Sequence, residues 1–190
     1  MADERSKASA LYRSENNDIH EHAGLPDLLR HALYASKLIS YAQGFSLLRR
    51  ASEHYGWDLD YGTIARIWRK GCIIRSVFLQ KITDAYRKDP DLENLLFDDF
   101  FRSKIQDALP AWRRIVAEGA LSGVALPAMS SALSYFDGLR TLHSAANMIQ
   151  AQRDYFGAHT YERTDRERGH FFHTNWTGEG GNTISGTYSV

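Results

Sequence analysis

An all-α helical bundle with long central helices, followed by an extended polar tail, is the fold this sequence predicts, and three observations predict it. Apolar residues recur at intervals of three and four through most of the first 163 residues. Residues suited to starting and stopping helices stand where those patterns begin and end. From Thr164 onward the periodicity gives way to polar sequence punctuated by Gly178, Gly180, Gly181 and Gly186. The chain therefore divides into a helical domain, 1–163, and a tail, 164–190.

Taken in order, Met1 to Tyr12 carry helix-favouring Ala, Glu, Lys and Leu but no strong stripe, and this end is expected to fray. Ser14 to Gly24 reads as a solvated loop; its histidines, His20 and His22, lack a nearby third ligand and are not taken for a metal site. Pro26 and Asp27 open a long helix to about Tyr55, where Gly56 supplies a left-handed stop. Leu28, Ala32, Ala35, Ile39, Ala42 and Phe45 form its buried stripe, while Ser36 and Ser40 are expected to bond back to the preceding turn. Lys37 reads as structural or solvent-facing. Asp60 caps a short helix through Trp68, and Gly71 interrupts the pattern before Ile73 to Arg87 resumes it. Arg66, Arg69, Lys70 and Arg75 are expected to pair with acids on neighbouring helices. Asp89, Pro90 and Asp91 separate two helices, and Asp98 to Ala120 forms the next around Phe101, Ile105, Trp112 and Val116, with a bend or break at Pro110. After a turn at Gly123 to Pro127, one last long helix is predicted from about Ala128 to Phe156, its stripe running through Ala132, Tyr135, Leu139, Leu142, Ala146 and Ile149.

Composition narrows the function classes. Lysine plus arginine (23) offset aspartate plus glutamate (23), so no long-range field draws nucleic acid or an anionic membrane, and an anion site has to be local. The single cysteine, Cys72, excludes an internal disulfide and a multi-cysteine zinc site and reads as a small packing residue. No apolar run reaches spanning length and no signal-like segment opens the chain. The expectation is a cytoplasmic protein with no membrane and no nucleic-acid partner.

Chemistry concentrates in IQAQRDYFGAHTYER, Ile149 to Arg163. Arg153 offers a planar fork of donors for an oxyanion, and His159 adds a ring that donates to the same group and titrates near neutral pH. Gly157 between them is expected to end the helix, turning the chain so that His159 faces the same point. The competing reading pairs Arg153 with Asp154 or Glu162 on the surface and leaves His159 to the backbone. In the tail, Phe171, Phe172 and Trp176 are too apolar to leave in water and suit anchors on a second chain. His170 and His173 have no acidic or cysteine companion beside them, so no metal is assigned.

This stretch, with YASKLISYAQGF (Tyr34 to Phe45), IWRKGCIIRSVFL (Ile67 to Leu79) and FFHTNWTG (Phe171 to Gly178), resembles decarboxylating 6-phosphogluconate dehydrogenase, and the segments follow that family's order along nearly the whole chain. The resemblance implies an NADP-dependent oxidative decarboxylation of 6-phosphogluconate to ribulose 5-phosphate, the pentose phosphate pathway step, in a homodimer whose tail threads across the partner. It places Arg153 and His159 on the substrate phosphate, in the partner subunit's site. It also implies a dinucleotide-binding domain and a catalytic lysine and glutamate upstream of where this resemblance begins; no GxGxxG opens the chain, and no catalytic residue is assigned within it. The expectation is a C-terminal portion, inactive alone. Ser144 and Ala145 depart from the leucine and proline usual in the family, which questions a local bend. Two other readings stand beside it: a non-catalytic helical dimerisation module, and a helical metalloenzyme using His159, His170 and His173.

Overall fold

The computed structural model describes residues 1–12, 24–71, 77–176 and 178. Among them are seven α-helices, one 3-10 turn and a two-stranded sheet. They fall in two compact units, Met1–Phe136 and Asp137–Val190.

In the first unit, α1 (Ala2–Leu11) is helical but buries nothing. The strut is α2 (Leu25–Tyr55), 31 residues or roughly 46 Å long. Gly24 (φ 91) caps its start, Pro26 sits in its first turn and Gly56 (φ 65) ends it left-handed. Ala32, Ala35, Ile39, Ala42 and Phe45 are fully buried along it, as the spacing requires. Small residues on this face let α5 approach, and α2 packs chiefly on α5 (Asp99–Leu121). Ser36 donates to the Ala32 carbonyl (2.7 Å) and Ser40 to that of Ser36 (2.9 Å), so both hydroxyls are satisfied within the helix. Lys37 lies half-buried with its ammonium 5.1 Å from the Phe78 ring centre, a structural position.

Asp60 opens α3 (Tyr61–Gly71) by accepting the Thr63 N–H (2.9 Å) and hydroxyl (2.6 Å), which hold its carboxyl below the usual range. The helix after it starts later than the pattern suggests: α4 spans Leu79–Lys88, with Val77 and Phe78 in a turn. The expectations for Cys72 to Ser76, Arg75 included, and for His20 and His22 fall outside the described residues. Among the described residues neither Arg66 nor Arg69 forms a salt bridge with an acid, although the Arg66 charge helps to lower the Asp60 pKa. Arg66 reaches the Thr63 hydroxyl (3.5 Å) and Arg69 the side chain of Gln80 on α4, a neutral partner that lies one turn before Asp84. A 3-10 turn, Leu95–Phe97, precedes α5, whose N-cap Asp98 accepts the Phe100 N–H (3.0 Å).

Pro110 does not break α5; the helix runs through it to Leu121. Pro110 and Gln106 are both exposed, so the carbonyl that loses its N–H partner turns to water at little cost. Trp112, fully buried, packs near Phe136 with ring centres 6.4 Å apart. Trp112→Ala should cost about 3–5 kcal/mol, read in denaturant melts, because a fully buried ring is removed and a cavity is left in the core.

The predicted last long helix is two. α6 covers Pro127–Leu139 and α7 covers Ala146–Gly157. Thr141 closes the first by donating its hydroxyl to the Asp137 carbonyl (2.6 Å), and Ser144 accepts the Ala146 N–H (3.3 Å) at the start of the second. Polar side chains at 141 and 144 thus compete with the helical ladder, and the local bend questioned at Ser144 and Ala145 is a full interruption. Consequently Leu139, Leu142 and Ile149 are exposed rather than core. Beyond α7, the part of the tail to Trp176 is not simply extended: β1 (Tyr161–Glu162) pairs antiparallel with β2 (Phe171–Phe172), Tyr161 opposite Phe172. No described helix is long and apolar enough to cross a membrane.

Candidate anion-binding site

The end of α7 is built around one buried acid. Gln150 and Asp154, four residues apart, share a face of the helix, and both reach over its end to the turn that follows. Asp154, fully buried, accepts the Thr160 N–H (3.0 Å), the Thr174 N–H (3.0 Å) and the Trp176 indole N–H (2.9 Å), and its Oδ1 lies 2.9 Å from His173 Nδ1. Gln150 donates to the Thr160 carbonyl. Burial alone would raise the Asp154 carboxyl; the hydrogen bonds from His173, Thr174 and Trp176 outweigh it and hold the group at about 2. Across the hairpin, Glu162 accepts the Gly169 N–H (2.7 Å) and pairs with Arg168 (2.8 Å), which lower its pKa.

Both acids that competed for Arg153 are therefore occupied elsewhere. Arg153 is exposed on α7 and His159 exposed just beyond it, and neither side chain hydrogen-bonds or ion-pairs with a described residue, although the His159 carbonyl accepts a Gln150 N–H (3.5 Å). Among the described residues the two side chains do not share the groove that His159 lines. His159 lines a groove of about 880 Å³ with Gln150, Thr160 and Phe171, and Arg153 stands outside it. Of the groove's three arginines, Arg163, Arg166 and Arg168, the first is held by both oxygens of Asp165 (2.7 and 2.6 Å) and the last by Glu162. His173 is engaged by Asp154, and among the described residues no group of three or more His, Cys, Asp or Glu side chains could hold a metal ion.

Gly157 ends α7, as its place suggests, and has a second task. It is the last helical residue, and the left-handed position is Ala158 (φ 50). A Cβ on Gly157 would lie 3.1 Å from both Cδ2 and Nε2 of His159, so the glycine makes room for the imidazole. Gly157→Ala should therefore stabilise α7 slightly, by up to about 1 kcal/mol, while pushing the exposed ring aside. A melt and an imidazole NMR shift separate the two effects; an unmoved ring would reject the account.

Asp154, Gln150 and Trp176 are the site residues that sequence reasoning missed. Their signal is faint: Asp154 looked like a surface neighbour of Arg153, and only its spacing from Gln150 hints at a shared face.

Fold and site together define a helical domain that closes on an acid-pinned hairpin and leaves a guanidinium and an imidazole unengaged at the helix end. The family profile described as 6-phosphogluconate dehydrogenase, C-terminal domain, matches residues 1–176, and the chain belongs to that family. It is 56% identical over 164 residues to the decarboxylating 6-phosphogluconate dehydrogenase of Haemophilus influenzae, covering 86% of this chain and 34% of that protein. Against the enzyme of Ovis aries the identity is 52% over 193 residues, covering 100% and 40%. A solved Plasmodium falciparum 6-phosphogluconate dehydrogenase, studied in its apo form, with its cofactor NADP+ and with its substrate 6-phosphogluconate, superposes with a TM-score of 0.86 at 43% identity, over 92% of this chain and 38% of that one. The chain thus spans well under half the length of these relatives.

Proposed function

We propose that this chain supplies the substrate-phosphate-binding and dimerising part of an NADP-dependent 6-phosphogluconate dehydrogenase, the enzyme that oxidatively decarboxylates 6-phosphogluconate to ribulose 5-phosphate. The observation that carries the proposal is the state of Arg153 and His159: both face solvent, and the acids nearest them in sequence, Asp154 and Glu162, are held by other donors. A guanidinium presents two parallel N–H donors to phosphate oxygens, and an imidazole N–H adds a third from beyond the turn. The phosphate does not react; holding it fixes the sugar so that groups elsewhere reach its reacting carbons. Because Arg153 lies outside the groove that His159 lines, the pair is read as converging on a ligand seated in a partner subunit. Exposed Met148, Ile149, Tyr155 and Phe156 on α7, with Phe171 and Trp176 behind it, suit such a partner, and a homodimer follows.

Among the described residues no strand leads through a glycine turn into a helix N-terminus, the cradle a dinucleotide pyrophosphate needs; β1 and β2 only pair with each other. The described residues do not fit NADP, and no catalytic base or acid is assigned to them. A polypeptide of these 190 residues should accordingly show no NADP reduction with 6-phosphogluconate unless an intact protomer is added. The test of the binding role compares 6-phosphogluconate with gluconate by NMR: the Arg153 Nε and His159 ring signals should move with the phosphorylated sugar alone. Equal response to both sugars, or none, would leave the second reading, a non-catalytic dimerisation module, which the same exposed apolar side chains favour.

A further inference from the structure

His159 stands between two residues in the left-handed region, Ala158 (φ 50) and Thr160 (φ 53). Neither is glycine, and a β-branched residue seldom adopts this conformation. Such a turn persists only where its surroundings over-determine it. Here one helical residue acts on both flanks. The Asp154 carbonyl accepts the Ala158 N–H (2.9 Å), and the Asp154 Oδ1 accepts the Thr160 N–H (3.0 Å). Asp154 is also the one charged side chain among the described residues that is completely buried, and its other oxygen takes the Thr174 and Trp176 N–H groups.

We infer that Asp154 is a positioning residue for the phosphate site: its carboxylate fixes the turn that aims His159 and ties that aim to the 173–176 segment. This rests on the phosphate-binding reading above only for its consequence, not for its geometry. A carboxylate is required because donors converge on both oxygens. Asparagine has one oxygen and would set an NH2 group against N–H donors on the other side. Arg153 lies before Asp154 within α7, so its place is set by helical hydrogen bonds and not by the turn.

The experiment is NMR on the whole chain, wild type and Asp154→Asn, with 6-phosphogluconate as the probe. In the wild type the Thr160 amide should exchange as slowly as the α7 amides, and the His159 ring should show a nuclear Overhauser contact to the Gly157 α-protons. In Asp154→Asn the ring contact should vanish and the His159 response to the probe should fall at least 10-fold, with the Arg153 response kept. Loss of both responses together would mean general unfolding of the helix end and would overturn the assignment, as would an unchanged ring contact. Fast exchange of the wild-type Thr160 amide overturns it without any variant. If neither wild-type side chain responds to the probe, the phosphate reading fails, while amide exchange and ring contact still decide the role of Asp154.

Discussion

Arg153→Ala should weaken 6-phosphogluconate binding at least about 100-fold in the assembled enzyme and leave the melting temperature where it was. The magnitude follows from losing two charge-assisted hydrogen bonds; each contributes about 1.5–3 kcal/mol, and each 1.4 kcal/mol is tenfold in affinity. The unchanged stability follows from position. Arg153 is exposed and holds no described residue, so its removal strands nothing. Arg153→Lys should recover only part of the affinity, because an ammonium keeps the charge and loses the fork. Gluconate, which lacks the phosphate, should bind wild type and variant alike. Calorimetric titration at fixed ionic strength reads all of this, and a loss below about 3-fold for the alanine variant would remove Arg153 from the site.

Asp154→Ala should have the opposite profile, with a large loss of local stability. The carboxylate is the common acceptor for three N–H groups and the partner of His173, and its removal leaves several of them without a partner, at a cost of about 3 kcal/mol. The hairpin and the 173–176 segment should detach while the core around Trp112 melts unchanged, so tryptophan and tyrosine signals from the two regions should separate. Acid should reproduce the effect in the wild type. The folded carboxyl is held at about 2 against an ordinary 3.8, so stability from this group is complete above about pH 4 and is lost as the pH falls toward 2. Amide exchange at Thr160 and Thr174 should accelerate across that window. Exchange that stays slow down to pH 2 would reject this account of the Asp154 carboxylate.

Where sequence and structure agree, and where they part, follows from what a pattern encodes. The stripe on α2 was legible because burial of Ala32, Ala35, Ile39, Ala42 and Phe45 is enforced by periodicity, and the stop at Gly56 because a left-handed residue favours glycine. The division between α6 and α7 was not, since Leu139, Leu142, Ala146 and Ile149 keep helical spacing across a stretch where Thr141 and Ser144 bond to local backbone. The break allowed for at Pro110 is absent for a related reason: proline's cost depends on which face it occupies, and this face meets water. Arg153 and His159 could be picked out as residue types, but the support for His159 could not. Asp154 becomes an acceptor only when Thr160, His173, Thr174 and Trp176 converge on it, a long-range arrangement that no local spacing records. Gly157 ends α7 as expected, but the room it leaves for the His159 ring was not legible, because clearance for a neighbouring ring has no sequence signature.

The inward rotation of Asp154 also decides which sign of charge solvent meets at this corner of the molecule. An aspartate next to an arginine sums to zero on paper, and two mobile side chains would neutralise one another at contact range. A helix turns roughly 100° between adjacent residues, and here that offset sends the anion to the interior and the cation outward. An Arg-Asp dipeptide that is formally neutral thus presents a local positive potential, and it does so in a chain whose total charge is nil.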